Sequence, residues 1–99
     1  MAWSWDHNQC GGTRSYSAHA ALGEHLSRIA ARRDWEAISV LFGRAGGDAF
    51  DVPPERARRM GEAFKALAPF ADGQWRRACL ELGAAAAEAG RTGSVWHWS

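Results

Sequence analysis

Apolar and polar positions alternate at the two ends of this 99-residue chain and recur at helical spacing between them. Residues Ala2 to Asp6 set Trp3 and Trp5 two apart, and Val95 to Trp98 repeat the pattern with Trp96 and Trp98. Period two is that of a half-buried strand. If the termini pair, four of the six tryptophans share one sheet face, where cross-strand aromatic pairs add about 0.2–1 kcal/mol each and every buried indole removes a large apolar area from water. The ends are therefore expected to be neighbouring strands, their indoles turned towards a helical layer.

The interior reads as helices. Ser17 is placed to cap a segment in which His19, Leu22, Leu26 and Ile29 form one stripe, while Glu24 and Arg28 pair one turn apart on another face. Asp34 opens a shorter segment running to Gly43. Its "AISVLF" is apolar and β-branched enough for a strand, with "RAGGDAFDV" as a returning hairpin arm; the spacing of Trp35, Ile38, Leu41 and Phe42 and the capping Asp34 favour a helix. "AFDVPP" is a short extended piece and a candidate third strand, because Pro53 and Pro54 lack amide donors and bias the preceding residue to extended geometry. From about Pro54 a helix turns Ala57, Met60, Gly61, Phe64 and Leu67 inward, sets Glu55 against Arg59 and ends at Pro69. Asp72 caps the last helix, with Trp75, Cys79, Leu82 and Ala86 on one side and Gly90 as its stop. The pattern predicts an α+β fold: a small sheet formed by the N- and C-terminal strands, with the short third strand, packed against about four helices.

Length predicts a single domain over residues 1–99. Twelve basic against eleven acidic residues leave a formal charge of +1, too small a global field to draw the chain to nucleic acid or an anionic membrane. No apolar run is long enough to span a bilayer, the N-terminus has no secretory pattern, and Cys10 and Cys79 form no disulfide framework. A cytoplasmic protein with reduced thiols and no membrane contact is expected.

Candidate chemistry centres on "DHNQCGGTRSYS", residues 6–17, read as the loop between the first strand and the first helix. Gly11 and Gly12 would let its backbone approach a ligand, and Arg14, Ser15 and Ser17 would sit just before a helix N-terminus, where free amides favour anions. Asp6, His7, Asn8, Gln9, Cys10, Arg14, Ser15 and Tyr16, joined by His97 if the terminal strands bring it beside His7, make up the candidate ligand-binding set. The stretch matches no dinucleotide or phosphate-loop fingerprint. His7 and Cys10 have a two-ligand spacing, His97 would be a third ligand if the terminal strands pair, and Cys79 or Asp6 would have to be the fourth; one such spacing is a weak match to zinc patterns, so no metal and no cofactor is expected. Cys10 as nucleophile, with His7 or His97 as base and Asp6 as orienter, has the right residue types but no motif, and no catalytic residue is assigned. Cys79 falls on an apolar helix face and reads as inert core. His19 can donate to a carbonyl within the core, and His25 lies at a boundary. The arginines of "RIAARR", "ERARRM" and "QWRRAC" would make a nucleic-acid footprint if they converged, but the interleaved acids favour a solvated, salt-bridged surface.

The stretch "DWEAISVLFGRAGGDAFDVPPERARRMGEAFKAL" has a Trp-led helix, a Leu-Phe-Gly stop, an extended piece and a Pro-Glu helix start. It resembles small α+β proteins of actinobacteria and their phages, some of them similar to immunity or inhibitor proteins. That resemblance implies a role in binding another protein and carries no site residue. With Trp and Arg as the side chains that most often dominate interfaces, the expected function is a small non-catalytic interaction protein that binds and modulates another protein, its partner a second protein or another copy of itself. The alternatives are a small-molecule, nucleotide or anion binder, in the extreme a minor enzyme, using the 6–17 loop, and a nucleic-acid binder using the arginine helices.

Overall fold

Both Trp-x-Trp segments are strands of one sheet. The computed structural model describes residues 2–7, 10–43 and 49–99. In chain order these form β1 (Ala2–His7), β2 (Cys10–Ser15), α1 (Tyr16–Ile29), α2 (Arg32–Ile38), β3 (Phe50–Val52), α3 (Pro54–Leu67), α4 (Gly73–Thr92) and β4 (Trp96–Trp98). Single 3-10 turns, Ser39–Leu41 and Ala68–Phe70, prolong α2 and α3. The sheet is antiparallel with spatial order β2-β1-β4-β3, so the last strand is inserted between the first and the third. Trp5 stands opposite Trp98 and Asp6 opposite His97. Ser4 and Ser99 exchange both backbone hydrogen bonds at 2.8 Å, extending the pairing to the C-terminal residue.

Period-two alternation sorts the sheet into two faces. Trp3, Trp5, Phe50, Val52, Trp96 and Trp98 turn inward and are buried. The Trp5 and Trp98 rings stack at 5.1 Å, and Trp96 meets Trp98 edge-on at 5.1 Å, both favoured aromatic geometries. His19, Leu22 and Leu26 of α1 and Phe64, Leu67, Leu82 and Ala86 of α3 and α4 complete the core. The expected α+β arrangement, with indoles facing helices, is therefore the one observed, as are the buried stripes of α1, α3 and α4.

The largest correction is β2. Residues 6–17, expected as a loop, hold the end of β1, the paired strand Cys10–Ser15 and the start of α1. Two glycines depress the strand propensity of "CGGTRS", yet the ladder from Ala2↔Ser15 to His7↔Cys10 supplies the hydrogen bonds that propensity alone does not predict. The α1 cap moves with it: Ser15, not Ser17, takes the N-cap position, and its Oγ accepts from the Ala18 amide at 3.2 Å.

Smaller shifts have equally local causes. α2 begins at Arg32, so Asp34 sits in its first turn, not at its cap, where its charge still complements the helix dipole. The "AISVLF" ambiguity resolves as helix followed by a 3-10 turn; residues 44–48 lie outside the described residues. Helix α4 runs past Gly90 to Thr92 and stops at Gly93, whose φ of +68° is the left-handed conformation that glycine tolerates best. Gly90 has another role: a Cβ there would lie 2.6 Å from Arg58 Cβ, so its bare backbone lets α3 and α4 pack close.

Candidate functional site

The open face of the sheet carries the one described hydrogen bond between two titratable side chains of different strands. Asp6 on β1, His97 on β4 and Asp51 on β3 stand directly opposite one another in register, forming a row across three strands. His97 Nδ1 lies 2.5 Å from Asp51 Oδ1, with both side chains partly exposed. An ionised carboxylate only accepts, so the imidazole donates from Nδ1, and in the neutral ring Nε2 keeps the lone pair.

His97 stands opposite Asp6, while His7 pairs with Cys10 at the end of the hairpin. The expected neighbourhood of His7 and His97 involves the His7 side chain, which lies outside the described residues; the register sets His97 opposite Asp6, one position from His7. Asn8 and Gln9 lie outside the described residues, as do the side chains of Asp6, His7, Cys10, Arg14 and Tyr16. Ser15 is exposed, with its Oγ engaged at the α1 cap, so one amide proposed for an anion is already satisfied. Among the described residues, no three His, Cys, Asp or Glu side chains gather into a metal-binding group.

His19 and His25 are held in structural contacts. His19 is buried, with Nε2 2.7 Å from the Leu41 carbonyl and its ring stacked on Phe42 at 4.5 Å. His25 stacks on Trp75 at 5.7 Å, and its Nε2 accepts the Asp72 amide at 3.5 Å. Cys79 is buried in α4, as its apolar stripe predicts.

A second feature lies between α2 and α3. A half-open groove of about 970 Å³ has Ala37, Val40, Met60 and Ala63 at its floor and Ala66 at its edge. Charged residues flank it, and Arg33 and Asp34 on α2 and Arg56 and Glu62 on α3 form no ion pair among the described residues. Elsewhere the surface is salt-bridged: Arg28 with Glu24 at 2.6 Å, Arg32 with Glu36 at 3.1 Å, Arg59 with Glu55 at 3.5 Å, and Arg91 with Glu88. The hydrogen bond and charge of Glu88 hold the exposed Arg91 guanidinium above its ordinary range. Arg76 instead donates to the Ala68 and Pro69 carbonyls, bracing the turn that leaves Phe70 exposed.

Sequence reasoning missed both Asp51 and the groove. Asp51 was within reach, since "FDV" alternates and its polar middle residue had to face outward. The groove depends on how two helices sit side by side, which neither helix's own pattern reveals.

These features define a small α+β protein with one helix-covered and one open sheet face, and no helix among the described residues is long and apolar enough to cross a membrane. A family model described as a domain of unknown function, DUF7739, matches residues 6–99, and the chain belongs to that family. No curated protein and no solved structure matches the chain.

Proposed function

We propose that this is a small non-catalytic interaction protein that binds and modulates another protein, in the manner of immunity proteins and phage-encoded inhibitors, with the α2–α3 groove as its docking surface. The groove carries this reading. It offers an apolar floor of side chains already ordered by the core, together with four charges that form no ion pair among the described residues. An amphipathic segment of a partner protein, apolar on one side and flanked by both charge signs, would bury the floor and pair those charges, as helix-in-groove recognition does. Arg33, Asp34, Arg56 and Glu62 would then set which partner binds, since rim charges act on encounter and selectivity.

The test uses the wild-type protein as bait in an extract of its native host, with mass-spectrometric identification, followed by binding measurements on the purified partner. The double reversal Arg33→Glu/Arg56→Glu and the edge variant Ala66→Arg alter exposed groove positions and leave the core intact. Loss of the partner in both, with retention in Arg77→Glu on α4, is the expected result. A partner held equally by all variants, or none held by the wild type, refutes the groove as the docking surface.

A further inference from the structure

We propose that, when no other partner is bound, the α2–α3 groove is covered by a second copy of this chain, each copy seating Phe70 in the groove of the other. The inference rests on the reading of that groove as a docking surface and names its resting occupant. Two features of one surface carry it: an exposed aromatic side chain in line with the groove, and a rim on which positive and negative charges balance.

Phe70 is 72% exposed, ahead of Leu80 at 53% and Val95 at 50%. A singly exposed apolar residue is ordinary, but Phe70 is both aligned and held. The 3-10 turn Ala68–Phe70 prolongs α3 directly. Phe70 therefore follows Ala63 by seven positions and Met60 by ten, spacings that return to one face of a helical rod, and Met60 and Ala63 form the groove floor. Pro69 fixes the backbone immediately before the ring. The Arg76 guanidinium ties the same turn to α4, donating to the Ala68 carbonyl at 3.1 Å and to the Pro69 carbonyl at 3.4 Å. An anchor ordered in advance loses little freedom on binding, and aromatic side chains are enriched at the centres of interfaces.

A protruding ring and a groove on the same face suit a two-fold axis. With the two α3 helices antiparallel, each Phe70 reaches the floor of the other copy and the pair closes, whereas a head-to-tail contact would leave a ring and a groove unfilled and continue into a filament. A two-fold contact also sets a rim against its own likeness, which repels if the rim has one sign. Here Arg33 and Arg56 are matched by Asp34 and Glu62, and none of the four forms an ion pair among the described residues. The small side chain of Ala66 at the groove edge lets the helices approach.

Sedimentation velocity of the purified full-length protein, from about 1 μM to about 1 mM so that even a weak association populates the dimer, tests the proposal. The wild type should pass from monomer to dimer with no larger species. Phe70→Ser and Ala66→Arg should each stay monomeric with unchanged circular dichroism, and Arg77→Glu should dimerise as the wild type does. Arg33→Glu/Arg56→Glu makes all four rim charges negative, and Asp34→Arg/Glu62→Arg makes all four positive. Each should be monomeric alone and the two should form a heterodimer when mixed, a rescue that misfolded variants would not show. A wild type that stays monomeric, a dimer that survives Phe70→Ser or Ala66→Arg, open-ended assembly, or no heterodimer in the mixture would overturn the proposal. A monomeric wild type that still captures a host protein through the groove refutes the second copy alone. A dimer that behaves as expected while no host protein is captured upholds the second copy and removes the foreign partner.

Discussion

Burial decides what each histidine is worth. His19 is enclosed by Trp3, Phe42 and Trp98, with ring centroids at 6.4, 4.5 and 5.3 Å, and its Nε2 meets the Leu41 carbonyl. His19→Ala removes the ring and strips that carbonyl of its imidazole partner. The expected loss is about 2–4 kcal/mol, combining a core truncation with a buried polar group left short of a partner, read as a lower urea midpoint at unchanged slope. The exposed Glu24–Arg28 pair is the counterpart. Solvent screens it and its long side chains lose rotamer freedom, so Glu24→Ala should cost about 0.3–0.5 kcal/mol, and less in high salt. A buried histidine and an exposed glutamate, both polar positions in the sequence, thus differ several-fold in energetic weight, because only the histidine is sealed from water.

Close approach dominates at the level of elements. In an ordinary exposed helix, Gly→Ala gains about 1 kcal/mol of propensity. At Gly90 the added methyl would lie 2.6 Å from Arg58 Cβ and 2.9 Å from its Cα, contacts that only separation of α3 from α4 relieves. Overpacking of this kind costs about 1–3 kcal/mol, so Gly90→Ala should destabilise in spite of its better propensity. Gly73→Ala, at the first residue of α4 with nothing within 4 Å of a new Cβ, should be neutral or slightly stabilising. Thermal melts of the two variants, moving in opposite directions or one of them unmoved, check the argument. Gly90 also marks the limit of what the sequence reveals. Its position after "AAAAEA" reads as a helix stop, and that reading fails because the glycine serves a neighbouring helix, not its own. β2 was hidden for a related reason: its strand character comes from the β1 ladder, and "CGGTRS" shows none of it. The stripes of α1, α3 and α4 were legible because each helix buries one face against a common core, a constraint that repeats every turn. Of the candidate site, His97 was named from the sequence and its hydrogen-bonded partner Asp51 was not, since strand register, which neither strand's own pattern reveals, decides which residue stands beside it.

The molecule as a whole is closed by its last residues. β4 is the strand that joins β1–β2 to β3, so without it β3 has no sheet partner. Its two indoles are fully buried, and each removes about 150–250 Å² from water. At about 25 cal/mol per Å², the pair contributes roughly 8–12 kcal/mol before opposing terms. Among the described residues neither indole N–H finds an acceptor, a penalty of about 1–3 kcal/mol each. The remainder is still comparable with the whole stability of a small domain, about 5–15 kcal/mol. Deleting residues 95–99 should therefore abolish cooperative unfolding. Much of the helical far-ultraviolet signal should survive, because α3 and α4 pack on each other through Gly61, Gly83 and Gly90 without help from β4. The near-ultraviolet tryptophan signal should collapse and the core should bind a hydrophobic dye, the signature of lost tertiary packing with retained secondary structure. Deleting Ser99 alone, which removes one exchanged pair of backbone bonds to Ser4, should leave a sigmoidal melt. A sigmoidal melt in the longer truncation, close to that of the full chain, would show instead that the helical layer and the β1–β2 hairpin suffice, and that the terminal indoles only decorate a core formed without them.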